Sequence, residues 1–170
     1  MPTDRILIIE DDEDQLALMR QYVSMLGYEV EGLTDGTAAL ERVKSFQPDL
    51  VLLDLNLPNT PGMIILKSIK EDPATEEIPV MVMSSDDAEE TVIVCLSSGA
   101  SEFIAKPIRM AELTLKIQNA LELLKYRRQL NQLNQKLERE KSLLSRYFSS
   151  DLVDKILSEE IAPQLGGEKL

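Results

Sequence analysis

The sequence predicts an α/β protein: a parallel five-stranded sheet covered by helices on both faces, with one long helix carried beyond it. Three observations lead there. Short aliphatic runs alternate with stretches of helical period, which implies right-handed βαβ units. The runs are continuous rather than alternating with polar residues, as in strands buried on both faces. Beyond the last run, no proline occurs between Pro107 and Pro163 and no glycine between Gly99 and Gly166, so a long helix is permitted.

In chain order, ILII (6–9) reads as the first buried strand. Leu16, Met19, Val23 and Leu26 then follow at helical spacing, and Gly27 is a natural stop. EVEGL (29–33) is a short second strand, after which Asp35 caps a helix carrying Ala39, Leu40 and Val43 that ends before Pro48. LVLL (50–53) is the third strand, followed by a helix over 63–70 with Ile65, Leu66 and Ile69. VMVM (80–83) is the fourth, and its helix, 87–98, closes at Gly99. EFIA (102–105) is the fifth, and Met110 opens the final long helix, expected to reach about residue 148.

That helix changes character along its length. Leu113, Ile117, Leu121 and Leu124 form a stripe suited to packing on the sheet. A second stripe takes over with 3-4 spacing: Leu123, Tyr126, Leu130, Leu133, Leu137, Glu140, Leu144 and Tyr147, in which only Glu140 breaks the apolar seam. The natural reading is a parallel two-stranded coiled coil and hence a homodimer; the alternative is a lone amphipathic helix folded back on its own domain. Residues 149–161 form a short helix with a serine cap and one apolar face of Leu152, Val153, Ile156, Leu157 and Ile161. The expected organisation is a domain over 1–124, a coiled-coil linker over 125–148, and a terminal piece over 149–170.

Composition narrows the function. The formal net charge is −12, which argues against nucleic acid as a partner, because phosphate binding relies on Lys and Arg. The charge is uneven: residues 1–116 hold 9 basic and 22 acidic side chains, and residues 117–148 hold 7 and 3, which fits a solvated helix face. The single cysteine, Cys95, excludes an internal disulfide, suits a cytoplasmic location, and reads as a small buried hydrophobe. No apolar run is long enough to span a membrane, and the MPTDR start does not resemble a signal peptide. The chain has no histidine, which removes imidazole base catalysis, histidine metal sites and a phosphohistidine.

In a doubly wound sheet, the loops at the carboxyl ends of the strands gather into one crevice. The residues just beyond each strand are therefore the candidates: Glu10, Asp11 and Asp12 after the first, Asp54 after the third, Ser84 and Ser85 after the fourth, and Lys106 with Pro107 after the fifth. Taken singly, EDDEDQ reads as a solvated acidic turn opening a helix, and Ser84 or Lys106 carries little information. Asp54 says more, because it ends a buried aliphatic run, where an isolated carboxylate is costly. Together they converge. Clustered carboxylates either take up protons or bind a cation, and an all-oxygen site suits Mg²⁺. One carboxylate can then act as a nucleophile towards a phosphoryl group, with the metal and a lysine neutralising the transferred oxygens and a serine hydroxyl bonding the product.

ILIIEDDEDQ, LVLLDLNLPNTPG, VMVMSS and EFIAKPI resemble, in order and spacing, the receiver domain of two-component response regulators, over about residues 4–124. The resemblance implies a flavodoxin-like fold with strand order 2-1-3-4-5 and Mg²⁺-dependent phosphoryl transfer to Asp54 from the phosphohistidine of a sensor histidine kinase or phosphotransfer protein. It implies that Asp11 and Asp54 ligate the metal directly, Glu10 acts through water, the backbone carbonyl of Asn56 supplies another oxygen, and Asp12 stands third in the acidic run as a further candidate. Ser84 holds the place of the switch hydroxyl, Phe103 that of the switch aromatic, Lys106 that of the family lysine, and Pro107 follows a cis peptide bond. Asn56 and Asp86 occupy positions that tune the lifetime of the phosphoryl group. Glu10 departs from the commoner Asp, Leu57 from Met, Pro61 from Asp and Ser85 from Ala; no needed functional group is lost.

RYFSSDLVDKILSEEIAPQLGGEKL (146–170) is similar to the lead-in of class III adenylate or guanylate cyclases. That similarity implies a nucleotide cyclase as the output domain of a longer parent protein. The receiver itself would catalyse only its own phosphorylation and dephosphorylation. Two other readings stand beside this one. A dimerisation adaptor that is not phosphorylated would share the fold. A phosphohydrolase of haloacid-dehalogenase type calls for an acid two residues after its nucleophile, where this chain has Asn56.

Overall fold

A computed structural model of the chain describes residues 3–148 and 150–160. The elements are β1 (Arg5–Ile9), α1 (Glu13–Met25), β2 (Glu29–Leu33), a 3-10 turn (Gly36–Ala38), α2 (Ala39–Phe46), β3 (Leu50–Asp54), α3 (Gly62–Glu71), β4 (Val80–Ser84), α4 (Glu89–Ser97), β5 (Glu102–Ala105), α5 (Met110–Tyr147) and α6 (Ser150–Glu160). The five strands form one parallel sheet in the order β2-β1-β3-β4-β5. This is the flavodoxin-like order, and each aliphatic run lies where a strand was expected.

The period of two along a strand sorts the side chains into two cores. Leu50 and Leu52 face the core shared with Leu16, Met19 and Val23 of α1 and with Leu113, Ile117 and Leu121 of α5. Val51 and Leu53 face the other, with Val43 and Phe46 of α2, Ile65, Leu66 and Ile69 of α3, and Cys95 of α4. All four residues of Leu50–Leu53 are fully buried, which explains why the run carries no polar side chain before Asp54.

Helix ends differ from the sequence expectation where side-chain caps decide them. The Asp12 carboxylate accepts from the backbone N–H groups of Asp14 and Gln15, so α1 begins at Glu13, a turn before the first of its apolar positions, Leu16. Asp35 caps the 3-10 turn through Thr37 N–H at 2.8 Å, and α2 starts only at Ala39. Gly27 and Gly99 end α1 and α4 at φ +96° and +104°, a conformation that favours glycine.

The chain divides into two compact units, residues 1–125 and 126–170. In the first, α5 is held by the Tyr22 hydroxyl, 2.8 Å from Thr114 Oγ1, and by Lys125 Nζ, which donates to Asp4 Oδ2 at 2.9 Å. In the second, Tyr126, Leu130, Leu133 and Leu137 are each more than half exposed, as is Tyr147, and Leu144 is half-buried. α6 exposes Leu152 and Ile156; Ile161 and the LGGE element lie outside the described residues. No helix among the described residues is long and apolar enough to cross a membrane.

Candidate functional site

The register of the sheet brings the strand ends together. Ile9 of β1 pairs with Leu53 of β3, so Glu10 and Asp54 follow on neighbouring strands. Asp54 pairs with Met83 of β4, and Ser84 with Ala105 of β5, which places Lys106 one residue further on. A cleft of about 660 Å³ opens here, with Glu10, Asp11, Asp54, Asn56, Ser85 and Lys106 among its polar lining.

At its centre, Lys106 Nζ donates to Glu10 Oε2 at 2.8 Å and to Asp54 Oδ2 at 2.7 Å. Both carboxylates are almost fully buried, at 1% and 2% exposure. Their remaining oxygens are also bonded: Asp12 N–H donates to Glu10 Oε1 at 3.2 Å, and Asn56 N–H to Asp54 Oδ1 at 2.9 Å. Burial holds the Glu10 carboxyl above the ordinary carboxylate range, although the Lys106 hydrogen bond pulls it down. Burial acts to lower the pKa of Lys106, but its hydrogen bonds to Asp54 and Glu10 outweigh that, and it stays above the free-lysine value. The ammonium therefore remains charged and balances the buried acids.

Glu10, Asp11 and Asp54 each offer an oxygen within 4.8 Å of the others, and Asp11 is exposed. Three carboxylates with no nitrogen or sulfur donor fit a hard divalent cation such as Mg²⁺. Asp12 lines the cleft but lies outside this cluster, and its carboxylate caps α1.

The other sequence-derived candidates fall around this centre. Ser84 ends β4 almost fully buried, and its hydroxyl accepts from Asp86 N–H at 3.1 Å; Ser85 lines the cleft instead. Asp86 in turn accepts from Ala88 N–H at 3.2 Å and from the Thr91 hydroxyl at 2.8 Å, which fixes the start of α4. Phe103 is half-buried on β5, and the Lys106–Pro107 peptide bond is cis. Sequence reasoning missed Lys116, which donates to the Phe103 carbonyl at 3.1 Å and to Glu102 Oε1 at 2.8 Å. It also missed the apolar wall of the cleft, formed by Leu18, Met19, Ile108 and Met110. Lys116 follows Glu112 at helical spacing and could be read only as a surface pair.

Gly62 was likewise passed over, yet it holds the backbone of Asp54. A Cβ at this position would collide with the Asp54 carbonyl oxygen and lie 2.6 Å from Leu55 Cα, and Gly62 N–H donates to Leu55 O at 3.0 Å. Gly62→Ala should therefore displace rigid backbone and destabilise the chain by about 1–3 kcal/mol, as overpacking does, measured by urea unfolding. An unchanged midpoint would show that the β3–α3 loop can move aside.

A parallel 2-1-3-4-5 sheet with a lysine-bridged acidic cluster at its carboxyl edge defines a receiver-type α/β module. The chain belongs to the response regulator receiver domain family, whose family model matches residues 6–118. It is 36% identical over 104 residues to the response regulator PleD of Caulobacter vibrioides, covering 61% of this chain and 23% of PleD. It therefore spans about a quarter of the length of that relative. Among solved structures, it resembles a CheY-like receiver domain protein from Methanospirillum hungatei (TM-score 0.70, 25% identity, 74% of this chain and 99% of that one). It also resembles NtrX from Brucella abortus (TM-score 0.71, 30% identity, 78% of this chain and 30% of that one).

Proposed function

We propose that this receiver is a phosphorylated switch, with Asp54 as the phosphoacceptor. The observation that carries the reading is the buried Asp54 carboxylate, bonded to Lys106 at 2.7 Å beside Glu10 and Asp11 at the sheet edge. A phosphohistidine of a sensor histidine kinase or phosphotransfer protein is the donor. An Asp54 oxygen attacks phosphorus, the N–P bond breaks as the O–P bond forms, and the histidine nitrogen leaves with the electron pair. Asp11, Asp54 and the Asn56 carbonyl would hold Mg²⁺ directly, with Glu10 acting through water. When bound, the metal neutralises charge on the transferred oxygens. Lys106 supplies the matching positive charge from the protein side.

A phosphoryl group on Asp54 would draw the Ser84 hydroxyl inwards, and the Asp86 N–H bonded to Ser84 Oγ links that movement to the start of α4. Phe103 follows inwards on β5, and the change passes to α5, whose backbone-directed contact is Lys116. Through Tyr126, Leu130, Leu133, Leu137, Leu144 and Tyr147 the linker pairs two copies and carries the signal, in the cytoplasm, to an output domain of nucleotide cyclase type. The domain organisation is receiver over 1–124, linker over 125–148, and the start of the output piece over 149–170.

Acetyl phosphate with Mg²⁺ should add the mass of one phosphoryl group to the intact chain, read by mass spectrometry, and should add none to Asp54→Asn or after chelation by EDTA. Equal labelling of both proteins would remove Asp54 from this role. No labelling of either would favour the dimerisation adaptor.

A further inference from the structure

We propose that the exposed stripe of α5 pairs with the same stripe of a second copy of this chain, parallel and in register, and that a charged layer of Lys136, Glu140 and Lys141 sets this register. The inference rests on the dimeric linker proposed above and on the parallel orientation expected from the sequence, and adds the determinant of its register. Leu130, Leu133 and Leu137 are 58%, 63% and 54% exposed, and Tyr147 is 80% exposed, so their spacing defines an uncovered core line along the helix.

The residues that flank this line identify the partner. In a parallel coiled coil, the residue just before one core position meets the residue five further on in the other helix. Applied to this chain, the rule joins Gln129 with Asn134, Lys136 with Lys141, and Leu143 with Phe148. The first rung pairs two amides, each able to donate and accept. The last pairs two apolar side chains, which are 54% and 44% exposed in the single chain. Only the lysine rung is repulsive, and that is where the core line carries Glu140 instead of an apolar residue.

Glu140 lies four residues after Lys136 and directly before Lys141, so in a parallel pair its carboxylate has its own Lys136 and the partner copy's Lys141 as neighbours. The two glutamates share one layer in this register and offset two of the four lysine charges, and the lysines supply the charge that carboxylates in a core layer need. Within one chain, Lys141 Nζ reaches Asp154 Oδ1 only at 3.9 Å with its side chain half exposed, a contact readily exchanged for a closer one. Other arrangements lose this match. An antiparallel pairing of the stripe sets Glu140 against Leu130 and Gln129 against Leu143. A parallel slip of one heptad sets Glu140 against Leu133 or Tyr147. Each leaves the carboxylate in an apolar layer with its own Lys136 but without the partner copy's Lys141.

The test uses the full chain. Sedimentation should show a dimer, and mild oxidation with diamide should cross-link Leu137→Cys on its own. The wild type, whose one thiol at Cys95 is buried, should give no cross-link. Glu140→Lys should weaken the dimer about ten-fold or more, as expected for a repulsive buried charge. Lys136→Glu/Glu140→Lys/Lys141→Glu, which reverses every charge in the layer, should restore it. Circular dichroism of each variant separates lost pairing from lost folding. Three outcomes overturn the proposal: Leu137→Cys cross-linking only when mixed with Leu133→Cys, which is the antiparallel result; a Glu140→Lys dimer of unchanged strength; or no rescue by the triple reversal. A dimer that persists in those cases leaves the linker reading standing, whereas a monomeric wild type removes both, and neither result bears on phosphorylation of Asp54.

Discussion

Lys106→Ala is expected to lower the stability of the metal-free chain at neutral pH by about 3 kcal/mol, the low end of the cost of breaking a buried ion pair from one side. Lys106 Nζ is the shared donor to Glu10 and Asp54, whose side chains are 1% and 3% exposed. Without it, two buried carboxylates face each other with only backbone N–H groups to answer them. The low end applies because the lysine side chain is itself 17% exposed, so water reaches part of the gap.

The pH dependence identifies the cause. Glu10 already sits above its ordinary value of 4.5 because it is buried, and the Lys106 hydrogen bond is the largest influence holding it down. Removing Lys106 raises it further. A carboxyl whose folded pKa exceeds its unfolded one binds its proton more tightly when folded, so stability falls as pH rises from the unfolded value through the folded value. The deficit of Lys106→Ala should therefore be large at neutral pH and shrink as pH falls towards 4.5, measured by urea unfolding at both. Lys106→Met, which keeps the apolar stem, should behave the same way. A deficit of equal size at both pH values would point to lost packing rather than to the unbalanced acids.

The second large effect is that of the metal. Mg²⁺ at about a hundred times its Kd should stabilise the wild type by about 2.7 kcal/mol, because a ligand that binds only the folded state adds RT ln(1 + [L]/Kd). EDTA should reverse the gain. Asp11→Asn should abolish it while changing metal-free stability by no more than about 0.5 kcal/mol, as for other surface substitutions, since Asp11 is exposed. Proton competition gives the sign with pH: Glu10 is held up by burial, so the Mg²⁺ gain should fade as acidification protonates it. An Asp11→Asn chain stabilised by Mg²⁺ as much as the wild type would place the cation elsewhere.

Much of this protein was legible from local pattern. A strand buried on both faces has to be a continuous apolar run, so ILII, LVLL and VMVM identified three strands, the edge strand EFIA followed in the same alternation, and their following residues named the site. Asp54 stood out because a lone carboxylate ending such a run is otherwise costly. The long helix was legible because nothing between Gly99 and Gly166 breaks it.

Adjacent residues of like chemistry were separated only by the fold. Asp11 and Asp12 are identical side chains in one acidic run, yet the backbone at Asp12 (φ −74°, ψ 110°) turns its carboxylate onto α1 as a cap and leaves Asp11 with the cluster. Ser84 and Ser85 are adjacent, yet Ser84 ends β4 buried with its hydroxyl on the Asp86 N–H, whereas Ser85 lies just past the strand and lines the cleft. Gly62 showed its role only once α3 had packed against the backbone of Asp54. Periodicity and burial act over a few neighbouring positions, so local pattern is enough to define the succession of strands and helices along the chain and the residues at the strand ends. Which oxygen meets which donor depends on long-range pairing. Lys106 and Glu10 are 96 positions apart, and a bond of 2.8 Å between them exists only because β1, β3, β4 and β5 stack in register.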